Sequence, residues 1–276
     1  GMESMTNVPH YLLNSRVGTK LGNIKQVDGM IHDGLWDVYD QVHMGSHGES
    51  CAEKYGISRN DQDEYAELSY KRSQKAAKAG FLNNEIIEIK DKNDKAVDIQ
   101  DEEPFRVNFE KMKNLKPVFK KGGTITAANA STINDGAAVC MLSSEDYSKN
   151  LGLSPKARIL DSVNFSQEPK WFTTAPVSAI TKILERNSLA INDIDLFEIN
   201  EAFSIVPLVA IRELDIPIEK LNIHGGAVSI GHPIGCSGAR IVMSLINALK
   251  VNNKKIGIAS ICIGGGEATA MLIEVL

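Results

Sequence analysis

The chain has 276 residues, 43% of them hydrophobic and 24% charged, which supports a sizeable core in one large domain or two moderate ones and excludes intrinsic disorder as the main state. Thirty basic side chains against 35 acidic ones give a net charge of −5, and aromatic residues make up only 6%, so neither a global basic field nor a stacking platform points to a nucleic-acid partner. The four cysteines, Cys51, Cys140, Cys236 and Cys262, show no CxxC spacing, so neither a zinc cluster nor a disulfide framework is expected, and a reducing compartment is the default.

From Glu49 to Lys121 charges of both signs are frequent, and Tyr65, Leu68, Ala76 and Ala79 recur at helical spacing within a helix predicted over Arg59 to Ala79. This reads as a solvated, mostly helical layer, with the charge run Asp91 to Glu103 as an exposed face or loop. After Gly122-Gly123 the composition turns small and apolar, and Thr124 to Leu142 reads as buried, closely packed backbone. Residues 157–163 then predict a strand, 176–187 a helix, Leu196 to Ile199 a strand, 201–214 a helix and 235–250 a helix. The strands Ile256 to Ile263 and Ala268 to Val275 flank a turn short enough for an antiparallel hairpin. Alternation of this kind predicts a layered α/β core. The longest apolar stretches are far shorter than a bilayer crossing, so the chain reads as soluble, without a membrane partner.

Three stretches carry candidate chemistry. In His224 to Arg240, glycines and small residues place His232 just before a helix whose apolar stripe is Ile241, Val242, Leu245 and Leu249. It is either a structural histidine in a tight turn or one with a ring nitrogen aimed into a cavity. Cys262 leaves a buried strand onto Gly264, Gly265 and Gly266, where it is a small core hydrophobe or a thiol beside exposed amide donors able to stabilise thiolate or oxyanion charge. Cys140 and Cys236 lack that setting and read as packing residues. Asn200, at the start of Asn200-Glu-Ala-Phe203, either caps a helix or fixes a water or a histidine in a site. A cysteine, a histidine and an asparagine are also the residue set of papain-like hydrolases, whose local nucleophile signature is absent.

Beyond these stretches, Gly1-Met-Glu-Ser-Met5, Val38-Tyr-Asp-Gln-Val-His-Met-Gly45, Thr124 to Gly136, Asn200-Glu-Ala-Phe203, Gly225 to Arg240 and Cys262 to Gly266 stand in one order along the chain. In these segments the chain resembles the thiolase family, most closely the biosynthetic, acetoacetyl-CoA type also found in mitochondria. The resemblance implies a layered αβαβα fold of two similar halves, each with a mixed five-stranded sheet. Residues 1–145 would be the remainder of the N-terminal half, with an inserted loop domain at about 10–125, and 146–276 the C-terminal half. The family's nucleophilic cysteine would precede Gly1, so the chain by itself is expected to be inactive, with a non-catalytic or structural role as the competing reading.

By the same resemblance, His232 activates that nucleophile and helps bind the thioester oxygen. Asn200 holds a water of that oxyanion site, Cys262 removes a proton from the acetyl Cα, and Gly264 donates an amide to a second oxyanion site. Coenzyme A, as acetyl-CoA, is the implied substrate; Arg106, Val107, Asn108 and Lys111 would meet its adenine end, and Ser131 and His43 its pantetheine. A potassium ion would sit on Tyr39 and the carbonyls of Ala127, Ala128, Ala130 and Val228, with no redox cofactor. The full-length protein is expected to be a homodimer or homotetramer with a mitochondrial address, a cytoplasmic one being the alternative. The sequence departs from the family pattern at His47-Gly-Glu-Ser50 and at His224.

Overall fold

A computed structural model describes residues 1–97 and 100–276. In chain order the strands are β1 (Met2–Ser4), β2 (His10–Leu12), β3 (Gln26–Asp28), β4 (Trp36–Asp37), β5 (Val42–His43), β6 (Asp135–Ala137), β7 (Ala157–Ser166), β8 (Leu196–Ile199), β9 (Ile256–Ile263) and β10 (Glu267–Val275). The helices are α1 (Met44–Tyr55), α2 (Arg59–Lys78), α3 (Glu103–Arg106), α4 (Phe109–Met112), α5 (Glu145–Asn150), α6 (Ala175–Arg186), α7 (Ile205–Leu214), α8 (Ala227–Ile230) and α9 (Ile234–Val251).

The main sheet has the order β7-β10-β9-β8, with β8 parallel to β9 and the other pairs antiparallel. Side-chain alternation sorts the two faces. On one, Ile258, Cys262, Ala268, Ala270 and Leu272 pack with Ala179, Ile180 and Ile183 of α6 and Val206 and Val209 of α7. On the other, Ala259 and Ile273 meet Ile241, Leu245 and Leu249 of α9, which is the stripe expected from the sequence. Each such aliphatic side chain contributes about 1.5–3 kcal/mol on burial, and this sets the layering of helix, sheet and helix. Among the described residues, β7 to β10 supply four strands of the expected C-terminal sheet and an isolated parallel bridge from Phe197 to Leu221 lies on the outer edge of β8; in the N-terminal half β1 pairs with β6.

Two expected elements shift. The helix expected from 201 begins only at Ile205, because the preceding residues pair with the 129–131 segment: Ser131 N donates to Ala202 O at 3.1 Å, Ser204 N to Asn129 O at 2.9 Å, and Ala130 bridges Phe203. The apolar run from Thr124 is buried at Ile125, Thr126, Ala128, Asn129 and Ala138, but Val139, Met141 and Leu142 are exposed, and so is Cys140. Cys140 is therefore not a packing residue, since pairing with β1 ends at Ala137 and nothing among the described residues covers the chain beyond Ala138. Cys236 is buried, as expected.

Helix α2 starts at a capping box, with Ser58 Oγ accepting from Asp61 N and Asp61 Oδ2 accepting from Ser58 N at 2.7 Å. Its inner face is not the solvated layer expected. Tyr65, Ala66, Ser69, Tyr70, Ser73 and Ala76 are buried, while Leu68 is half-buried and Ala79 exposed. The described part of the charge run from Asp91 is mostly exposed, as a loop should be; Asp98 and Ile99 in it lie outside the described residues.

Candidate active site

β8 and β9 run parallel, so residues just past their ends come together at one edge of the sheet. Asn200 follows β8, and its N–H donates to Ser260 O of β9 at 2.9 Å, two residues before Cys262. In open α/β sheets ligands gather outside the carboxyl ends of the strands. Gly231, at φ +93°, releases the chain from α8 into His232, whose own N–H donates to Thr132 O at 3.1 Å.

The imidazole is held at both nitrogens. His232 Nδ1 lies 2.6 Å from Ser237 Oγ, and Nε2 lies 3.2 Å from Asn200 Nδ2. Ser237 spends its one hydroxyl proton on Pro233 O at 3.0 Å, so it accepts from the ring, and Nδ1 carries the hydrogen. Nε2 is then left with the lone pair, receiving the Asn200 amide. Burial, aided by the nearby Arg240 charge, pushes the imidazole down to about 4. It is neutral at physiological pH, a base with Nε2 as its basic atom. Asn200 Oδ1 is buried with no hydrogen-bond partner, a free acceptor beside the ring and suited to a water or a ligand hydrogen.

Cys262 is buried at the end of β9, and burial pushes its thiol up to about 12. It holds its proton in the free protein and gives it up only where bound charge and donors change that balance. Gly264 follows in the turn to β10, and a Cβ built there would meet Met44 Cε at 2.7 Å, so the α1 end bounds the approach to this turn.

The sequence did not reveal what holds this edge in place. Glu201 is fully buried, and its carboxylate accepts from Tyr65 Oη, Ser69 Oγ and Asn222 Nδ2, all at 2.8 Å, and from Val228 N at 3.0 Å. It joins α2 to the segment that leads into His232. Glu198, two residues before Asn200, is raised to about 8 by burial, against the pull of Arg240 at 3.8 Å. Ser237 and Glu201 both lie inside the motif segments, so the signal was present, but only the folded geometry assigns them partners.

The remaining candidates fall into separate groups. His43 caps α1, with Nδ1 accepting from Gly45 N, and stacks on Phe119 at 4.6 Å; Ser131 Oγ donates to Ala202 O at 2.9 Å. Phe119 lies edge-on to Phe203 at 6.0 Å, which connects the two. Arg106 is exposed and paired with Glu102 at 2.8 Å, Asn108 caps α4 by accepting from Lys111 N, and Val107 packs on the cluster of Tyr70, Met112, Ala128 and Val228. Ala128 and Val228 therefore come together, with Ala130 against the main core and Ala127 exposed. Tyr39 is 70% exposed and lines an open groove with Asp40, Gln167, Glu168, Pro169, Lys170 and Gly265.

Residues 1–146 match the family described as thiolase, N-terminal domain, and residues 153–275 match thiolase, C-terminal domain. A probable acetyl-CoA acetyltransferase of Dictyostelium discoideum is 47% identical over 279 residues, covering all of this chain and 67% of that protein. The mitochondrial acetyl-CoA acetyltransferase of Homo sapiens is 50% identical over 281 residues, covering all of this chain and 65% of that protein. The crystal structure of Acat5 thiolase from Ascaris suum in complex with coenzyme A superposes with a TM-score of 0.94 at 41% identity, over all of this chain and 71% of that one. The chain thus spans about two thirds of the length of these relatives.

Proposed function

The chain belongs to the thiolase family, and from that premise we propose that the full-length protein is an acetyl-CoA acetyltransferase that joins two acetyl-CoA into acetoacetyl-CoA and free coenzyme A, or runs the reverse thiolysis. The observation that carries this reading is the Asn200–His232 pair, with its basic Nε2, at the same sheet edge as the buried Cys262 thiol. The named relatives act on acetyl-CoA, and the Ascaris thiolase is solved with coenzyme A bound.

The proposed step uses two thiols with different tasks. An acetyl group is carried as a thioester on a nucleophilic cysteine. When that acetyl group is loaded, the departing coenzyme A thiolate takes the proton of Cys262; the Cys262 thiolate then takes a proton from the Cα of a second acetyl-CoA, the enolate carbon attacks the carried acyl carbon, a C–C bond forms, and the C–S bond breaks to release the nucleophile's thiolate, to which His232 returns its proton. His232 Nε2 takes the nucleophile's proton before acylation and, as an N–H, then faces the thioester oxygen. A water held by Asn200 Oδ1 and the Gly264 amide complete the donors; losing one such donor costs on the order of a hundred- to a thousandfold in rate. Cys262 cannot serve both tasks, Cys51 and Cys236 are buried, and Cys140 is on the exposed run after β6. The family resemblance implies that the nucleophile is a thiol outside these 276 residues, and on this reading the 276-residue chain alone should be inactive.

Coenzyme A is proposed to run past His43 and Ser131, with its adenine end toward Arg106, Val107, Asn108 and Lys111. A mitochondrial address is proposed from the relatives that carry that name, and a homo-oligomer from the family resemblance. A potassium ion is proposed on Tyr39 and the carbonyls of Ala127, Ala128, Ala130 and Val228; exchanging KCl for NaCl at fixed ionic strength tests it. The reading as a whole is tested with Cys262→Ala in the full-length protein. Turnover should be lost while acetylation of the nucleophilic cysteine stays detectable by mass spectrometry. Unchanged turnover, or thiolysis by the 276-residue chain itself, would sink it.

A further inference from the structure

Away from the catalytic edge, Asp37, Asp40 and His47 converge. Asp37 closes β4 at 1% exposure, His47 sits in the first turns of α1 at 2%, and the Asp40 side chain is 55% exposed on the turn after β4. His47 Nε2 lies 3.4 Å from Asp37 Oδ2 and 3.9 Å from Asp40 Oδ2, and one ligand atom from each residue falls within 4.8 Å of the others. Two features need a cause. His47 Nε2 is buried with no hydrogen-bond partner, although a carboxylate faces it, and a buried carboxylate such as Asp37 is costly unless its charge is compensated. Asp37 Oδ2 accepts Asp40 N at 2.6 Å, which folds the turn so that both carboxylates face the ring.

Donors that each stand about 2.0–2.2 Å from a tetrahedral zinc ion are separated by roughly 3.3–3.6 Å. The 3.4 Å separation from Asp37 falls within that spacing and is longer than the 2.7–2.9 Å of a charge-assisted hydrogen bond, while the exposed Asp40 carboxylate, at 3.9 Å, would move a few tenths of an ångström inward onto an ion. We propose that Asp37, Asp40 and His47 form a binding site for a divalent transition-metal ion, zinc in particular, with a fourth position open on the Asp40 side. One imidazole with two carboxylates suits zinc, whereas magnesium and calcium favour all-oxygen sets. The ion would satisfy the Nε2 lone pair and neutralise Asp37. It would also pin the β4–β5 turn to α1 and so fix the Tyr39 wall of the groove shared with Gly265, a neighbour of Gly264. His47 is one of the positions at which the sequence departs from the family pattern.

The test uses full-length protein stripped with EDTA and titrated with ZnCl2 by calorimetry and with CoCl2 by visible absorption. One equivalent should bind, and the cobalt form should show ligand-field bands without a thiolate charge-transfer band. His47→Ser and Asp40→Asn should each weaken binding by about a hundredfold or more, since even residues behind metal ligands cost 10- to 100-fold. Asp40 is exposed, so its variant folds, and circular dichroism checks the other. Absence of a bound equivalent, undiminished binding by both variants, or a cobalt–thiolate band would each overturn the proposal.

Discussion

Glu201→Ala removes one carboxylate and strands the groups that point at it. Asn222 Nδ2 keeps Ile199 O at 2.8 Å and Ser69 Oγ keeps Ser229 Oγ at 3.0 Å, but Val228 N and Tyr65 Oη lose the acceptor that each has among the described residues. An orphaned buried donor costs about 1–3 kcal/mol, more where its acceptor was charged, so with the cavity added the loss is about 3–6 kcal/mol. That is a large share of the roughly 5–15 kcal/mol that holds a domain folded. Glu201→Gln keeps the volume but turns an amide NH2 toward either Val228 N or Asn222 Nδ2, both fixed donors, for about 2 kcal/mol. Urea unfolding of full-length protein followed by fluorescence should place the alanine midpoint roughly 1 M or more below wild type, with glutamine between, given slopes of a few kcal/mol per molar. Coincident midpoints for all three proteins would refute the view that this carboxylate ties α2 to the His232 segment.

The layering was legible because its cause is local: the Ile241, Leu245 and Leu249 stripe and the alternation in β9 and β10 specify their faces wherever the partners come from. The start of α7 was not, since helical propensity at 201–204 is overridden by pairing with 129–131, a contact between segments about seventy residues apart. His232, Cys262 and Asn200 were legible as candidates because glycines and strand ends mark them. Their convergence rests on the parallel β8–β9 register, which no single segment encodes. The serines of α2 broke the apolar period, and so its buried polar face was missed; they are there to serve Glu201 and Ser229.

Gly231→Ala should lower turnover by at least tenfold with little change in circular dichroism, because φ there is +93° and the new methyl would strike Asn134, displacing His232; wild-type kinetics would contradict this. The His232 ring should stay neutral in NMR titrations down to about pH 5. Its folded value of about 4 lies below the ordinary 6.5, so its contribution to stability is complete above pH 6.5 and is lost as pH falls toward 4, and His232→Asn should flatten the acid limb of the urea midpoint. Glu198 gives the opposite sign. Its folded carboxyl, raised from 4.5 to about 8 chiefly by burial and further by the Glu201 and Glu85 charges, holds a proton that the unfolded chain has released between those values, so stability falls as pH rises through that window. Each tenfold change in proton affinity is worth about 1.4 kcal/mol, so the effect reaches a few kcal/mol. Arg240 offsets it only partly, because its guanidinium stands 3.8 Å off with Nη2 unpartnered. Glu198→Gln should therefore remove the decline in urea midpoint between pH 5 and 8 while keeping the shape that β8 packs around, and equal slopes in variant and wild type would show that the carboxyl is ionised in the folded protein.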